Sequence, residues 1–245
     1  MKQTDLSRFQ AALILAGAAL MLSLAMGMRQ SFGLLQPHMV RDIGITAADF
    51  SLASGSVLKG SGSVGTITQA SGSTLAPGNS PGTLTADSLV LAGGAEMEVE
   101  FFDPAGAAGT GYDTAVVGTL NLSGLSSANR YTLRLVSLSA LPSTQGALAG
   151  FDPTQSFAFE IFDYTNITMP SGYTVENIAQ LFTLDLSGFD DQSGAPVTSG
   201  FALVNNLSTG ALELTYSPIP EPSTYGLVLG ALALAGAAAR RRRKA

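Results

Sequence analysis

Cysteine and tryptophan are absent from the 245 residues, and histidine occurs once, as His38. Without cysteine there is no disulfide framework, no thiolate nucleophile and no cysteine-ligated zinc. Serine is abundant, yet residues 54–217 hold no histidine, so no Ser-His pair can form there. His38 has no visible orienting partner and reads as a solvated loop residue. Charged residues make up only 12% of the chain, and cations are scarcest in its middle. Between residues 54 and 217, Lys59, Arg130 and Arg134 face fourteen acidic side chains, a balance of −11, while the other nine cations sit near the two ends. So acidic a body excludes nucleic acid as a partner, because phosphate binding needs a basic surface.

What the sequence does hold is glycine, serine, threonine and alanine around Leu and Val, a composition that suits many short strands and tight turns. Composition changes abruptly at Ser54, and three parts follow from it: 1–53, 54–217 and 218–245. Within the middle part, residues 64–68, 82–84 and 88–91 read as short β pieces separated by Gly, Ser, Asn and Pro turns. Residues 96–101, EMEVEF, alternate acid with apolar and describe a strand with one wet face. Further strands are expected over 131–138, 156–164, 181–186, 200–204 and 211–216, with turns at Asp152-Pro153, Pro170-Ser171-Gly172 and Ser193-Gly194 and one helical turn over 175–181. The fold class is all-β.

Chemistry is thinly signalled. Arg130 and Arg134, at i, i+4, are expected on one face of a strand. Asp152, Asp163, Asp185, Asp190 and Asp191 are the acids available for paired-carboxylate hydrolysis, but nothing in their spacing joins any two. Asp185, Asp190 and Asp191 in DLSGFDD offer oxygen ligands of the kind calcium takes, without the glycine-rich calcium repeat. Residues 77–82, PGNSPG, are either a binding loop or a turn between strands. Asn-x-Ser/Thr triplets begin at Asn121, Asn166 and Asn206. No cofactor or metal is implied, and the chain reads as no enzyme.

The ends carry a different message. Lys2 and Arg8 precede an apolar run over residues 9–28 with a small-x-small site at Ser23, Leu24 and Ala25, compatible with a signal peptide or with a membrane span followed by Arg29. At the other end a Pro-rich pentad, Pro218 to Pro222, is followed by fifteen uncharged, largely apolar residues, 225–239, and then by Arg240, Arg241, Arg242, Arg243 and Lys244. The apolar run spans roughly 22 Å as a helix, short of the ~30 Å hydrocarbon core, a gap that snorkelling arginines close. The basic cluster stays on the cytoplasmic side and leaves the body across the membrane.

This order resembles the C-terminal sorting signal of Gram-negative PEP-CTERM proteins, with Pro220, Glu221, Pro222, Ser223 and Thr224 standing where the family's signature lies. The resemblance implies an exosortase, a membrane-embedded cysteine protease, as processing partner. It also implies export through the inner membrane, transient anchoring there, and then release to the cell surface or the extracellular exopolysaccharide layer.

Two further resemblances concern the rest of the chain. Residues 27–53, GMRQSFGLLQPHMVRDIGITAADFSLA, resemble the end of the first helix and the following loop of major facilitator superfamily transporters, so the start is an atypical signal segment or a chimeric join. Residues 75–85, LAPGNSPGTLT, and 109–124, GTGYDTAVVGTLNLSG, resemble autotransporter-associated β-strand repeats over residues 56–125. That likeness implies a parallel β-helix, a solenoid whose coils stack and bury an axial apolar stripe. No clean coil period is visible, and after Asn129 either wider coils or a small β-sandwich follows. The expected molecule is an exported structural or adhesive matrix protein flanked by two hydrophobic helices. The alternatives are a carbohydrate-active β-helix enzyme, a tail-anchored periplasmic domain and a fusion artefact.

Overall fold

The computed structural model describes residues 48–218. They form β1 (Phe50–Leu52), β2 (Val57–Gly60), β3 (Gly62–Gln69), β4 (Thr74–Pro77), β5 (Thr83–Ala92), β6 (Glu96–Phe101), β7 (Thr114–Gly124), β8 (Tyr131–Ala140), β9 (Thr144–Gln145) and β10 (Phe157–Thr168), a 3-10 helix (Val175–Leu181), then β11 (Phe182–Gly188), β12 (Phe201–Asn206) and β13 (Ala211–Tyr216). The all-β expectation holds, and so does the helical turn at 175–181. The sorting residues Pro220 to Thr224, the basic tail Arg240 to Lys244 and both apolar runs, 9–28 and 225–239, lie outside the described residues. Among the described residues no helix is long and apolar enough to cross a membrane.

Two sheets share the strands. The first runs β1-β3-β5-β7-β10-β13-β12, the second β11-β8-β6-β4-β2, with β9 beside β8. From β1 to β8 successive strands alternate between the sheets, and β10 and β11 repeat the step. Each strand therefore lies parallel to the previous strand of its own sheet. Phe50 faces Ile67, a step of 17 residues. Thr74 faces Glu96 after 22, Thr83 faces Thr114 after 31, and Ala115 faces Phe162 after 47. Within each sheet every return is longer than the last, which is why the sequence shows no fixed period. The segment after Asn129 adds β8, β10 and β11 to these same two sheets and makes no separate sandwich. The described β structure begins at Phe50, four residues ahead of the composition break at Ser54.

The first sheet also turns a corner. Inward side chains in a straight strand recur every second residue, yet the buried residues step by three from Ala86 to Leu89 and from Val117 to Leu120. Val64 and Ile67 repeat that step in β3, and Tyr164 and Ile167 repeat it in β10. The pairing registers skip the same level in all four strands, at Gly65, Asp87, Gly118 and Thr165. A bend carried at one level through adjacent strands re-aims each of them together, as a bulge does for a single strand. Gly118 is needed there, because a Cβ on it would lie 2.6 Å from the Asp87 carbonyl oxygen. The same corner corrects the sequence reading of 82–84 and 88–91 as two pieces; Asp87 breaks the pattern inside the single strand β5.

Between the sheets the filling changes along the chain. Ile67, Leu75, Leu89, Leu91 and Met97, on β3 to β6, are almost fully buried. Further on the core is filled by rings: Phe101 meets Phe159 at 4.9 Å and Phe189 at 5.4 Å, and Phe151 meets Phe189 at 4.9 Å, all edge to face. One polar thread crosses the apolar interior. The fully buried Tyr131 donates its hydroxyl hydrogen to Gln69 Oε1 (2.8 Å), and Gln69 Nε2 donates to the Glu96 carbonyl (3.2 Å), so neither polar group is left unpaired. At the far end β13 lies between β10 and β12, antiparallel to both, and the 3-10 helix rests against β12 and β11.

This part of the core thus depends on its rings. Phe101→Ala is expected to destabilise the folded body by about 3–5 kcal/mol, whereas Val204→Ala, on an exposed position of the outer strand, changes stability by under about 1 kcal/mol. Urea unfolding of the two variants checks this; equal losses contradict the packing described.

Candidate functional site

Residues 77–82 form a turn closed on itself. Gly78 has φ of +83°, and a Cβ on it would lie 2.1 Å from the Ser80 carbonyl oxygen; one on Gly82 would lie 2.6 Å from Gly78 Cα. Only glycine fits both positions. The turn is fastened backward by Gly78 N–H, which donates to the Gly60 carbonyl at 2.8 Å. It is fastened forward by Asp113, whose Oδ1 accepts the Gly82 N–H at 2.7 Å and whose Oδ2 accepts the Glu100 N–H at 2.9 Å. Asp113 N–H returns a bond to the Glu100 carbonyl, and Thr114 N–H one to that of Gly82, both at 3.0 Å. One carboxyl therefore joins the turn, the end of β6 and the start of β7. The two stretches singled out in the sequence, LAPGNSPGTLT and GTGYDT, meet at this atom pair, and PGNSPG is a turn between strands.

Asp113 is 1% exposed. Burial pushes its carboxyl up to about 8; the N–H donors of Glu100 and Gly82 pull it down, the Glu100 charge raises it and Lys59 lowers it. Glu100 lies beside it on β6, also buried, with Oε1 3.7 Å from Lys59 Nζ and Oε2 without a hydrogen-bond partner. Burial raises its affinity for a proton, Lys59 lowers it and Glu98 raises it. Next along the strand, Glu98 pairs with Arg134 on β8, and Glu96 lies 4.0 Å from the same guanidinium while accepting the Thr74 hydroxyl at 3.0 Å. Met97, Val99 and Phe101 face the core between these acids, so β6 alternates as the sequence predicts. Its outer face is roofed at Glu100 rather than wet along its length.

Most of the acids considered for catalysis are occupied locally. Asp152 accepts from Thr154 N–H (2.9 Å), Asp185 from Ser187 N–H (3.0 Å), and Asp191 from Ser193 N–H (2.7 Å) and Ala195 N–H (3.0 Å). The backbone donor of Thr154 holds Asp152 below the ordinary carboxylate range, and that of Ser187 does the same for Asp185. These are turn-forming side chains. Among the described residues no three His, Asp or Glu side chains are grouped to hold a metal ion, so Asp185, Asp190 and Asp191 are not brought together as a set of three ligands. Arg130 precedes β8 and donates to the Ser127 carbonyl at 2.9 Å, so it does not share a strand face with Arg134. His38 lies outside the described residues. Sequence reasoning missed Asp113, Glu100 and Lys59, and the only signal was an acid placed immediately before a β-rich run.

Past β13, whose last residue is Tyr216, a second kind of site begins. Residues 218–243 carry a protein-sorting signal of the class borne by exported proteins. It is the PEP-CTERM protein-sorting motif, whose carriers are processed by an exosortase. Neither the autotransporter-type reading of residues 56–125 nor the transporter-like reading of residues 27–53 gains support from the comparisons. No curated protein and no solved structure matches the chain.

The buried acids set a pH dependence. Asp113 titrates at about 8 in the fold against an ordinary 3.8, so across that interval the folded state keeps a proton the unfolded chain has lost, and stability falls as pH rises. Glu100 acts in the same direction. Urea midpoints are expected to be lower near pH 8 than near pH 5. Asp113→Asn flattens that slope and costs about 1–3 kcal/mol at the acid end, because its amide turns a donor toward a backbone N–H. A wild-type midpoint that rises over this range contradicts the assignment.

Proposed function

We propose that this chain is a non-enzymatic structural or adhesive component of the cell surface or exopolysaccharide matrix, delivered there by its C-terminal sorting signal. The observation that carries the reading is the junction itself: the sorting match starts at residue 218, two residues beyond β13, so processing within residues 220–224 leaves every described strand on the released side. In this reading the body is a short β-helix that widens toward its C-terminal end, supported by the alternation of strands between two parallel-paired sheets. A non-enzymatic role is supported by the occupation of Asp152, Asp185 and Asp191 in their own turns and by the enclosure of Asp113 under the chain, out of reach of a substrate. The inner membrane holds the protein only until the exosortase acts, and the acidic body then stays soluble outside the cell.

Intact-mass spectrometry of the protein from culture fluid and from membranes tests this. The extracellular species is expected to end within residues 220–224 and to lack Arg240 to Lys244, while the membrane form retains them. If every copy keeps the basic tail and stays with the inner membrane, the protein is a tail-anchored periplasmic domain and the proposal fails.

A further inference from the structure

Beyond its corner, the first sheet presents an ordered outer face. Thr66, Ser88, Thr119 and Asn166 lie opposite one another on β3, β5, β7 and β10. Two residues further along the same strands, Thr68, Val90, Asn121 and Thr168 form a second row. Their inward neighbours Ile67, Leu89 and Leu120 are buried and Ile167 packs on the core, so both rows point away from the interior. Thr68, Asn166 and Thr168 are exposed and the others half-buried. The five hydroxyls make no hydrogen bond among the described residues, whereas the asparagines are steadied by backbone: Asn121 Oδ1 accepts the Ser123 N–H at 3.0 Å and Asn166 Nδ2 reaches the Gly118 carbonyl at 3.4 Å.

The spacing follows from the sheet. Adjacent strands stand about 4.8 Å apart and alternate residues along one strand about 6.6 Å, so the grid measures about 14 Å by 7 Å, enough for two or three sugar rings. Each hydroxyl both donates and accepts, which matches a polyol better than any group of fixed polarity. Charge selects among polyols. The grid carries none, and its border carries Asp87, exposed at the corner, and Asp163, in register with Val116 and Thr85. Those acids, on a body with three cations, repel uronates and other polyanions. A protein partner or second copy needs an apolar centre to bury, and Val90 is the one apolar side chain in the two rows.

We propose that this face binds a neutral polysaccharide laid across β3, β5, β7 and β10. The proposal rests on the matrix reading above and deepens it by giving the ligand class and the contact rows.

The full chain, purified in detergent, is sedimented with microcrystalline cellulose as a neutral glucan and passed over beads carrying polygalacturonate. Retention on cellulose is expected, with little on the uronate beads. Thr119→Glu and Ser88→Glu, on neighbouring strands, are each expected to weaken cellulose retention about tenfold, while Thr183→Glu on β11, exposed on the other sheet, leaves it unchanged. The two grid variants are read only where their unfolding midpoints match wild type, and having both keeps the test alive if one misfolds. Equal retention of all three variants, retention on the uronate beads alone, or no retention overturns the proposal. A dimer dissolved by Thr119→Glu also overturns it and assigns the face to a second copy. Loss of retention with a truncated extracellular species still present leaves the sorting reading standing, so the two failures are distinguishable.

Discussion

Parallel pairing between successive returns of the chain is the constraint on which the rest of this body depends. Neighbouring strands stand about 4.8 Å apart whatever the chain does between them, so the length of chain between paired strands is free. Along the first sheet that length is 17, 22, 31 and 47 residues, and the added chain brings side chains that have to be packed between the sheets. Aliphatic side chains suffice beside the shorter connections. Elsewhere the space is taken by Phe101, Phe151, Phe159 and Phe189 in edge-to-face contact, where each ring fills more volume than a leucine at little cost in rotamer freedom.

Lengthening the returns also creates backbone that the sheets do not pair, and the polar interactions of the molecule are concentrated there. Asp113 gathers the 77–82 turn, β6 and β7 at one carboxyl because the chain between β6 and β7 has left the ladder and must be fastened on its way back. Lys59, one of three cations in the acidic body, stands beside Glu100 at this place. Inside the core the Tyr131–Gln69 contact does comparable work between distant returns, satisfying polar groups that would each be costly to bury alone.

Much of the strand content was legible in the sequence because β6 (EMEVEF) and most of β11 (FTLDLS) and β13 (LELTY) alternate apolar with polar residues. What was not legible follows from departures from that rule. Residues 82–84 and 88–91 read as separate pieces because the apolar pattern lapses between them, yet Asp87 there marks a corner inside β5. The short strands β1, β2 and β4 have three or four residues each, too few for periodicity to speak. A fixed period was invisible because the spacing between paired strands rises from 17 to 47 residues along the first sheet. Of the sites, the sorting segment was readable, since its information lies in local order: prolines, apolar run, arginines. The Asp113 cluster was not, since Lys59, Gly82, Glu100 and Asp113 come together only through the register of four separate elements. The rows on the first sheet share that property, as each strand supplies only two of their positions.

The position of β13 has a mechanical consequence. It is the final strand before the sorting segment, and it is hydrogen-bonded along both edges, to β10 on one side and β12 on the other, antiparallel to each. A force applied at the end of β13 along the strand axis loads both ladders in shear at once, so that many bonds must break together. A terminal strand on a sheet edge, pulled sideways, would unzip bond by bond. The fold is therefore closed, at the end that leads into the sorting segment, by a strand that a pull along its axis cannot unzip.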